Sequence, residues 1–251
     1  MSLSKYKKWF DSYTQELIES YPKEAENYEL KVEHTYRVVK NIIKLSELMY
    51  LNKENKELGE IIGLFHDLGR FVQYSEYGTF SEAHTGSHAT LSVEKLKKEK
   101  ILRGLNSEEL EIVYQAIEYH NHLTMPDIAS ESVLKLGTIL RDADKLDAFY
   151  LSTSNDSRSY SLDELSQESL YSEEIVGSIL SSQQADFRDI KYKYDRDLSI
   201  IALLFDLKFN ESFQILQENK SIEKMFKAMP NDEKLVDARR HCMEYIQSRR
   251  G

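Results

Sequence analysis

Asn55-Lys56-Glu57-Leu58-Gly59-Glu60-Ile61-Ile62-Gly63-Leu64-Phe65-His66-Asp67-Leu68-Gly69-Arg70 is the stretch whose reading decides the fold. A helix drawn from Asn55 to Asp67 has Leu58, Ile61, Ile62, Leu64 and Phe65 nearly all round it, which marks a buried central element. His66 and Asp67 close that apolar run, where a polar side chain is costly unless it is paired or acts as a ligand. Gly69 is placed to end the helix in a left-handed turn.

Working outward, helical periodicity dominates. Tyr6, Trp9, Phe10, Tyr13, Leu17 and Ile18 recur at three- and four-residue steps over 4–20. A second amphipathic helix runs from Glu29 to Leu51, with His34 in its first turns. Downstream of a loop with Gly78 and Gly86, helices are expected from about His88 to Lys98, from Ser107 to His120, and from Ser132 to about Tyr150. Ser107-Glu108-Glu109-Glu111 serves as cap and acidic first turn of the second of these. Residues 152–185 are Ser-rich and read as a loop-rich insertion with short helices, either a lid over a pocket or a surface excursion. Helical spacing resumes over 192–208, 211–217, 221–228 and, after Pro230, 232–249. The fold class is therefore all-α, a single domain with a core over about 25–150 and a helical extension over about 190–251. In that extension Phe205, Phe209, Phe213, Met225 and Phe226 read as core or homodimer surface.

Composition supports this class. Among 251 residues, 41 % are hydrophobic, enough for a sizeable core, while 9 Gly and 3 Pro leave little for the turns of an all-β chain. The formal charge of −10 disfavours a nucleic-acid polymer as partner, although local cations or a metal can still attract a small phosphorylated one. A single cysteine, Cys242, excludes an internal disulfide and fits a reducing compartment. No apolar run is long enough for a bilayer, and Lys5, Lys7, Lys8 and Asp11 break up the N-terminus, so the expectation is a cytoplasmic protein without membrane contact.

His34, His66, Asp67 and Asp144 each lie on an otherwise apolar helical segment and together form the candidate metal-ligand set: two imidazoles and two carboxylates suit a hard or borderline divalent cation and leave positions open. Taken singly they have ordinary readings, a solvated helix histidine, a C-cap histidine beside a capping acid, and a surface acid. Asp142 and Asp144 point about 200° apart on a helix, so one of them at most faces inward. Arg70 after the dipeptide, Lys145 after Asp144, and Arg37 put cations where a phosphate would need them.

These motifs, Glu33-His34-Thr35-Tyr36-Arg37-Val38, Leu64-Phe65-His66-Asp67-Leu68-Gly69-Arg70 and Ala143-Asp144-Lys145-Leu146, resemble the HD-domain superfamily of metal-dependent phosphohydrolases over roughly residues 30–150. The resemblance implies an HD-like helical bundle, a divalent ion (Mn, Mg, Fe, Co, Ni or Zn) on His34, His66, Asp67 and Asp144, and phosphoester hydrolysis. His88 and His120 resemble the extra ligands of binuclear members, but Asn121 stands where a second adjacent histidine often occurs, and no Gly-Tyr-Pro follows. Cyclic-dinucleotide cleavage is accordingly disfavoured.

The expected roles follow. Asp67 ligates the metal and hydrogen-bonds the attacking water, and His120 or His88 protonates the leaving oxygen or binds phosphate. Arg70 and Lys145 neutralise phosphate, and Glu33 and Asp142 support the ligands from behind. His84 and His122 are read as rim residues and His241 as a surface one. The expected partner is a small phosphorylated metabolite, a nucleotide foremost. Two other readings stand beside it: a di-metal oxygenase on the same fold, and a non-catalytic metal and nucleotide sensor.

Overall fold

The computed structural model describes residues 3–122, 124–126, 129–154 and 169–249. Among them the regular structure is helical, with no β-strand. The chain divides into two compact units, Met1–Asp144 and Lys145–Gly251. The division falls inside the helix Glu131–Leu151.

The first unit contains α1 (Leu3–Ser20), α2 (Ala25–Leu48), α3 (Lys53–Phe65), α4 (Leu68–Tyr77), α5 (Glu82–Thr85), α6 (His88–Lys98) and α7 (Ser107–Tyr119), followed by the start of α8 (Glu131–Leu151). The expected central helix is α3: Leu58, Ile61, Ile62, Leu64 and Phe65 are all buried, and α1, α2 and α7 pack against it. Gly63 lets α2 come close, since a Cβ there would stand 2.5 Å from Ile42 Cδ1. Phe10 meets Phe65 and Phe71 edge to face, with ring centroids 6.4 and 5.7 Å apart, which fastens α1 to the α3–α4 corner. Asn41 Nδ2 on α2 donates to Ala143 O at 3.0 Å, fixing α8 one residue before Asp144.

Two local expectations are corrected. Gly69 does not end a helix in a left-handed turn; it lies inside α4, and its role is steric. A Cβ there would sit 2.0 Å from His88 O and 2.8 Å from Ser92 N, so glycine is what allows α4 to lie against α6. The left-handed glycine is Gly78 (φ 66°), which caps α4 through its N–H to Tyr74 O. The cap of α7 is Asn106 rather than Ser107: its side chain accepts from Glu108 N and Glu109 N while Glu109 accepts from Asn106 N, a reciprocal capping box.

The second unit contains the end of α8, α9 (Glu173–Leu180), α10 (Asp195–Ala202), α11 (Asn210–Asn219), α12 (Ser221–Lys227) and α13 (Glu233–Ser248). Helix α9 packs against α10 and α13 through Ile175, Val176 and Ile179. Phe213, Met225 and Phe226 are core residues, while Phe205 is half-buried against Tyr245. Buried Asp195 accepts from the N–H groups of Ser172, Lys191 and Tyr192 and from Ser172 Oγ, which replaces the water it gives up. Of the Ser-rich stretch 152–185, residues 155–168 lie outside the described residues, and with them most of the expected lid; its later part holds α9. No helix among the described residues is long and apolar enough to cross a membrane.

Candidate metal centre

Three helix ends and two helix flanks supply the site. His66 is the last residue of the α3 spiral and Asp67 (φ −101°, ψ 14°) the joint from which α4 starts; buried Leu64, Phe65, Leu68 and Phe71 on either side hold this joint in place. His88 opens α6 behind its cap Ser87, and His120 closes α7. His34 projects from α2 and Asp144 from α8.

Their side chains converge. His34 Nε2 lies 3.3 Å from His66 Nε2, 3.3 Å from Asp144 Oδ1 and 3.5 Å from Asp67 Oδ2. On the other side of the Asp67 carboxylate, Oδ1 is 3.3 Å from His88 Nε2, which is 3.0 Å from His120 Nε2. The residues thus form two ligand groups, His34, His66 and Asp144, and Asp67, His88 and His120. Asp67 presents one oxygen to each.

The imidazole tautomers can be read from what lies behind each ring. Nδ1–H of His66 donates to Gly63 O at 2.8 Å and that of His120 to Ile117 O at 2.6 Å, and His88 Nδ1 is hydrogen-bonded to the Glu82 carboxylate. With the Nδ1 positions protonated, the Nε2 atoms carry lone pairs aimed into the centre. Two such lone pairs face each other across 3.0 Å in His88 and His120, an arrangement that repels unless a cation lies between. Protonation is a poor remedy, because burial pushes both rings down to about 4, and it also lowers His66 against the pull of Asp67 and Asp144. The donor set fits divalent metal ions, and backing by a carbonyl or carboxylate, as at His66, His88 and His120, is how metal-binding histidines are oriented.

The carboxylates are equally committed to the charged form. Burial would raise Asp67, but Lys31, whose Nζ is 2.9 Å from Oδ2, holds it well below the usual carboxylate range. Burial acts the same way on Asp144, and His34 and His66 outweigh it. Asp144 remains part-exposed whereas Asp142 is buried, as expected for residues pointing apart on one helix.

Of the expected cations, Arg70 lies beside the centre: its Nε is buried without a hydrogen-bond partner, 3.8 Å from Asp67 Oδ1, and its Nη1 donates to Phe80 O and Gln73 Oε1. Lys145 belongs to the second unit and pairs with Asp206 at 2.9 Å; Arg37 pairs with Glu33 at 3.6 Å. His84 and His122 are exposed, and His241 bonds Ser182 Oγ in the second unit.

Two contributors were not singled out by the sequence. Lys31 could have been found, since it lies three residues before His34 and so on the same helical face. Glu82 gives no such signal. It sits in the short helix α5, and buried Gln73 holds that loop by donating to Thr85 Oγ1 at 2.6 Å and Gly86 O at 3.0 Å. Asn121, at the position where the sequence departs from the binuclear pattern, donates to Ser87 Oγ at 3.3 Å and to Glu82 at 3.5 Å.

Residues 32–148 match the family model described as HD domain. No curated protein and no solved structure matches the chain.

Proposed function

Because residues 32–148 belong to the HD-domain superfamily, whose members are of the metal-dependent phosphohydrolase type, we propose that this chain hydrolyses a phosphoester of a small phosphorylated metabolite, a nucleotide foremost. The observation that carries the reading is the set of buried imidazole lone pairs, each Nδ1 engaged, converging on the two oxygens of one ionised carboxylate. His34, His66, Asp67 and Asp144 would hold one divalent cation. His88 and His120, with the other Asp67 oxygen, would hold a second. Bound there, divalent cations supply Lewis acidity, a nucleophile at neutral pH and neutralisation of phosphoryl charge.

The chain's own groups do the rest. Asp67, ionised at any ordinary pH, orients the attacking water by accepting its hydrogen bond. Arg70 holds its buried Nε, which has no hydrogen-bond partner among the described residues, 3.8 Å from Asp67 Oδ1, where a phosphoryl oxygen can complete it. The engaged Nδ1 atoms favour His88 and His120 as ligands over the acid role suggested by sequence, leaving protonation of the leaving oxygen to water.

The test is metal analysis of purified protein, followed by phosphate release from a panel of nucleotides and sugar phosphates. Divalent metal should co-purify, and His66→Ala or Asp67→Ala should abolish both its retention and turnover. Full metal occupancy in either variant would sink the assignment. The second ligand group also keeps the di-metal oxygenase reading in play, and oxygen uptake in place of phosphate release would favour it.

A further inference from the structure

Lys31 lies on α2 one residue before the segment that matches the family model, and nothing in the ligand set requires it. Its Nζ is nevertheless 2.9 Å from Asp67 Oδ2, the oxygen that also faces His34 at 3.5 Å and His66 at 4.0 Å. The Lys31 side chain is 27 % exposed while the Asp67 carboxylate is 6 % exposed, so the ammonium reaches from the solvent side into the centre.

An aromatic support holds it at that entrance. Nζ stands 5.7 Å from the Phe80 ring centroid, Phe80 stacks on Tyr74 at 4.6 Å, and Tyr74 Oη accepts from Asn27 Nδ2 at 2.7 Å, one turn before Lys31 on α2. Without a metal ion, the ammonium balances a buried carboxylate that would otherwise be costly. A divalent cation on Oδ2 would compete for the same lone pairs and repel the ammonium across a few ångströms. Its contact with Phe80 would keep it near the entrance, with one positive charge no longer matched.

We propose that Lys31 is a binding residue for the substrate's phosphoryl group, exchanging the Asp67 carboxylate for a phosphoryl oxygen when the centre is loaded. This rests on the phosphohydrolase reading above. An ammonium on a flexible stem suits the role, since it can follow an oxygen from one partner to the next, whereas the Arg70 guanidinium is tied to the Phe80 carbonyl.

The exchange predicts separable effects on two ligands. Manganese, then inorganic phosphate into the manganese-loaded protein, would be titrated calorimetrically into wild type, Lys31→Met and Lys31→Arg. Methionine keeps the apolar stem but removes the charge. Lys31→Met should bind manganese as tightly as wild type or severalfold tighter, while its phosphate Kd rises roughly 10- to 100-fold, the loss of one charged hydrogen bond. Lys31→Arg should recover most of the phosphate affinity. A phosphate Kd within twofold of wild type in Lys31→Met would overturn the proposal alone, leaving the functional reading intact. A joint fall in manganese affinity, phosphate affinity and Tm would make Lys31 a structural prop and also overturn it. A wild-type chain that takes up neither probe would overturn the functional reading and this inference with it.

Discussion

Replacing Gly69 by alanine tests how strictly helix packing builds the centre. The new Cβ would stand 2.0 Å from His88 O, 2.9 Å from His88 C and 2.8 Å from Ser92 N, all backbone atoms that no rotamer change can move. Ordinary contact begins at 3.4 Å, so α4 and α6 must separate by 3.4 − 2.0 = 1.4 Å at that point. Such a shift would stretch the 2.6 Å hydrogen bond from Gly69 N to Ser92 Oγ past breaking and leave a buried N–H unpaired. Overpacking and the lost partner together, less about 1 kcal/mol for replacing a helical glycine, leave a net cost of roughly 2–4 kcal/mol. That corresponds to a Tm lower by roughly 4–16 °C for a chain of this size. His88 opens α6 and moves with it, so its 3.3 Å approach to Asp67 Oδ1 opens as well. The assay is thermal unfolding followed by circular dichroism, with metal content measured on the same samples: Gly69→Ala should lose stability and the metal held by His88 and His120 while keeping that held by His34, His66 and Asp144. Gly177→Ala is the internal control, since among the described residues no atom beyond its chain neighbours and its own helix backbone lies within 4 Å of its Cβ position, and it should leave Tm equal or higher. A Gly69→Ala protein melting within about 2 °C of wild type with full metal content would refute the packing argument, because a 1 kcal/mol change alone moves Tm by that much.

Glu82→Gln removes the carboxylate behind His88 Nδ1 and should weaken the second cation about 10- to 100-fold with the first unaffected, read by competition with a chelator; equal loss of both ions would count against the two-group arrangement. Burial pushes the Cys242 thiol up to about 12, so at pH 8 its thiolate fraction is on the order of 10⁻⁴. A chromogenic disulfide reagent should find no reactive thiol in the native chain and one after denaturation; rapid native reaction would contradict the burial. In the second unit, burial would raise Asp206, but Lys145 and Lys208, each 2.9 Å away, hold it below the usual carboxylate range. Its folded pKa is thus depressed, so the stabilisation is present above the unfolded value and lost as pH falls through the folded one. Asp206→Asn should therefore be less stable than wild type near pH 7 and lose less between pH 5 and pH 3; parallel urea midpoints over that range would refute the coupling.

Those features of the site that depend on spacing along one helix were legible in the sequence. The apolar run Leu58–Phe65 announces a buried helix, so His66 and Asp67 at its end must face something that compensates them, and the structure places them beside His34 and Asp144. Contacts between helices were not legible from spacing, and the joining of His34 and Asp144 to the pair came from the family resemblance. Gly69 reads locally as a helix stop, and only the position of the His88 carbonyl shows that it is a contact glycine. Glu82 meets His88 because Gln73 and Arg70 fasten the loop that carries it, and no periodicity encodes that. Nor does spacing show that Lys145, next to Asp144 in sequence, pairs with Asp206 in the second unit.

Charge explains why these supports matter in a chain of formal charge −10. Around the two ligand groups, Asp67, Asp144 and Glu82 contribute −3 and Lys31 and Arg70 +2, a sum of −1 with His66, His88 and His120 neutral. On these groups alone the empty centre would repel a phosphate. One divalent cation would turn the sum to +1 and a second to +3, so net attraction for an anion at this centre requires metal loading, and Lys31 and Arg70 add to it once the cations are bound. Inorganic phosphate should therefore bind the manganese-loaded chain and fail to bind after chelation. Equal binding in both states would mean that the anion is held by cations elsewhere on the chain.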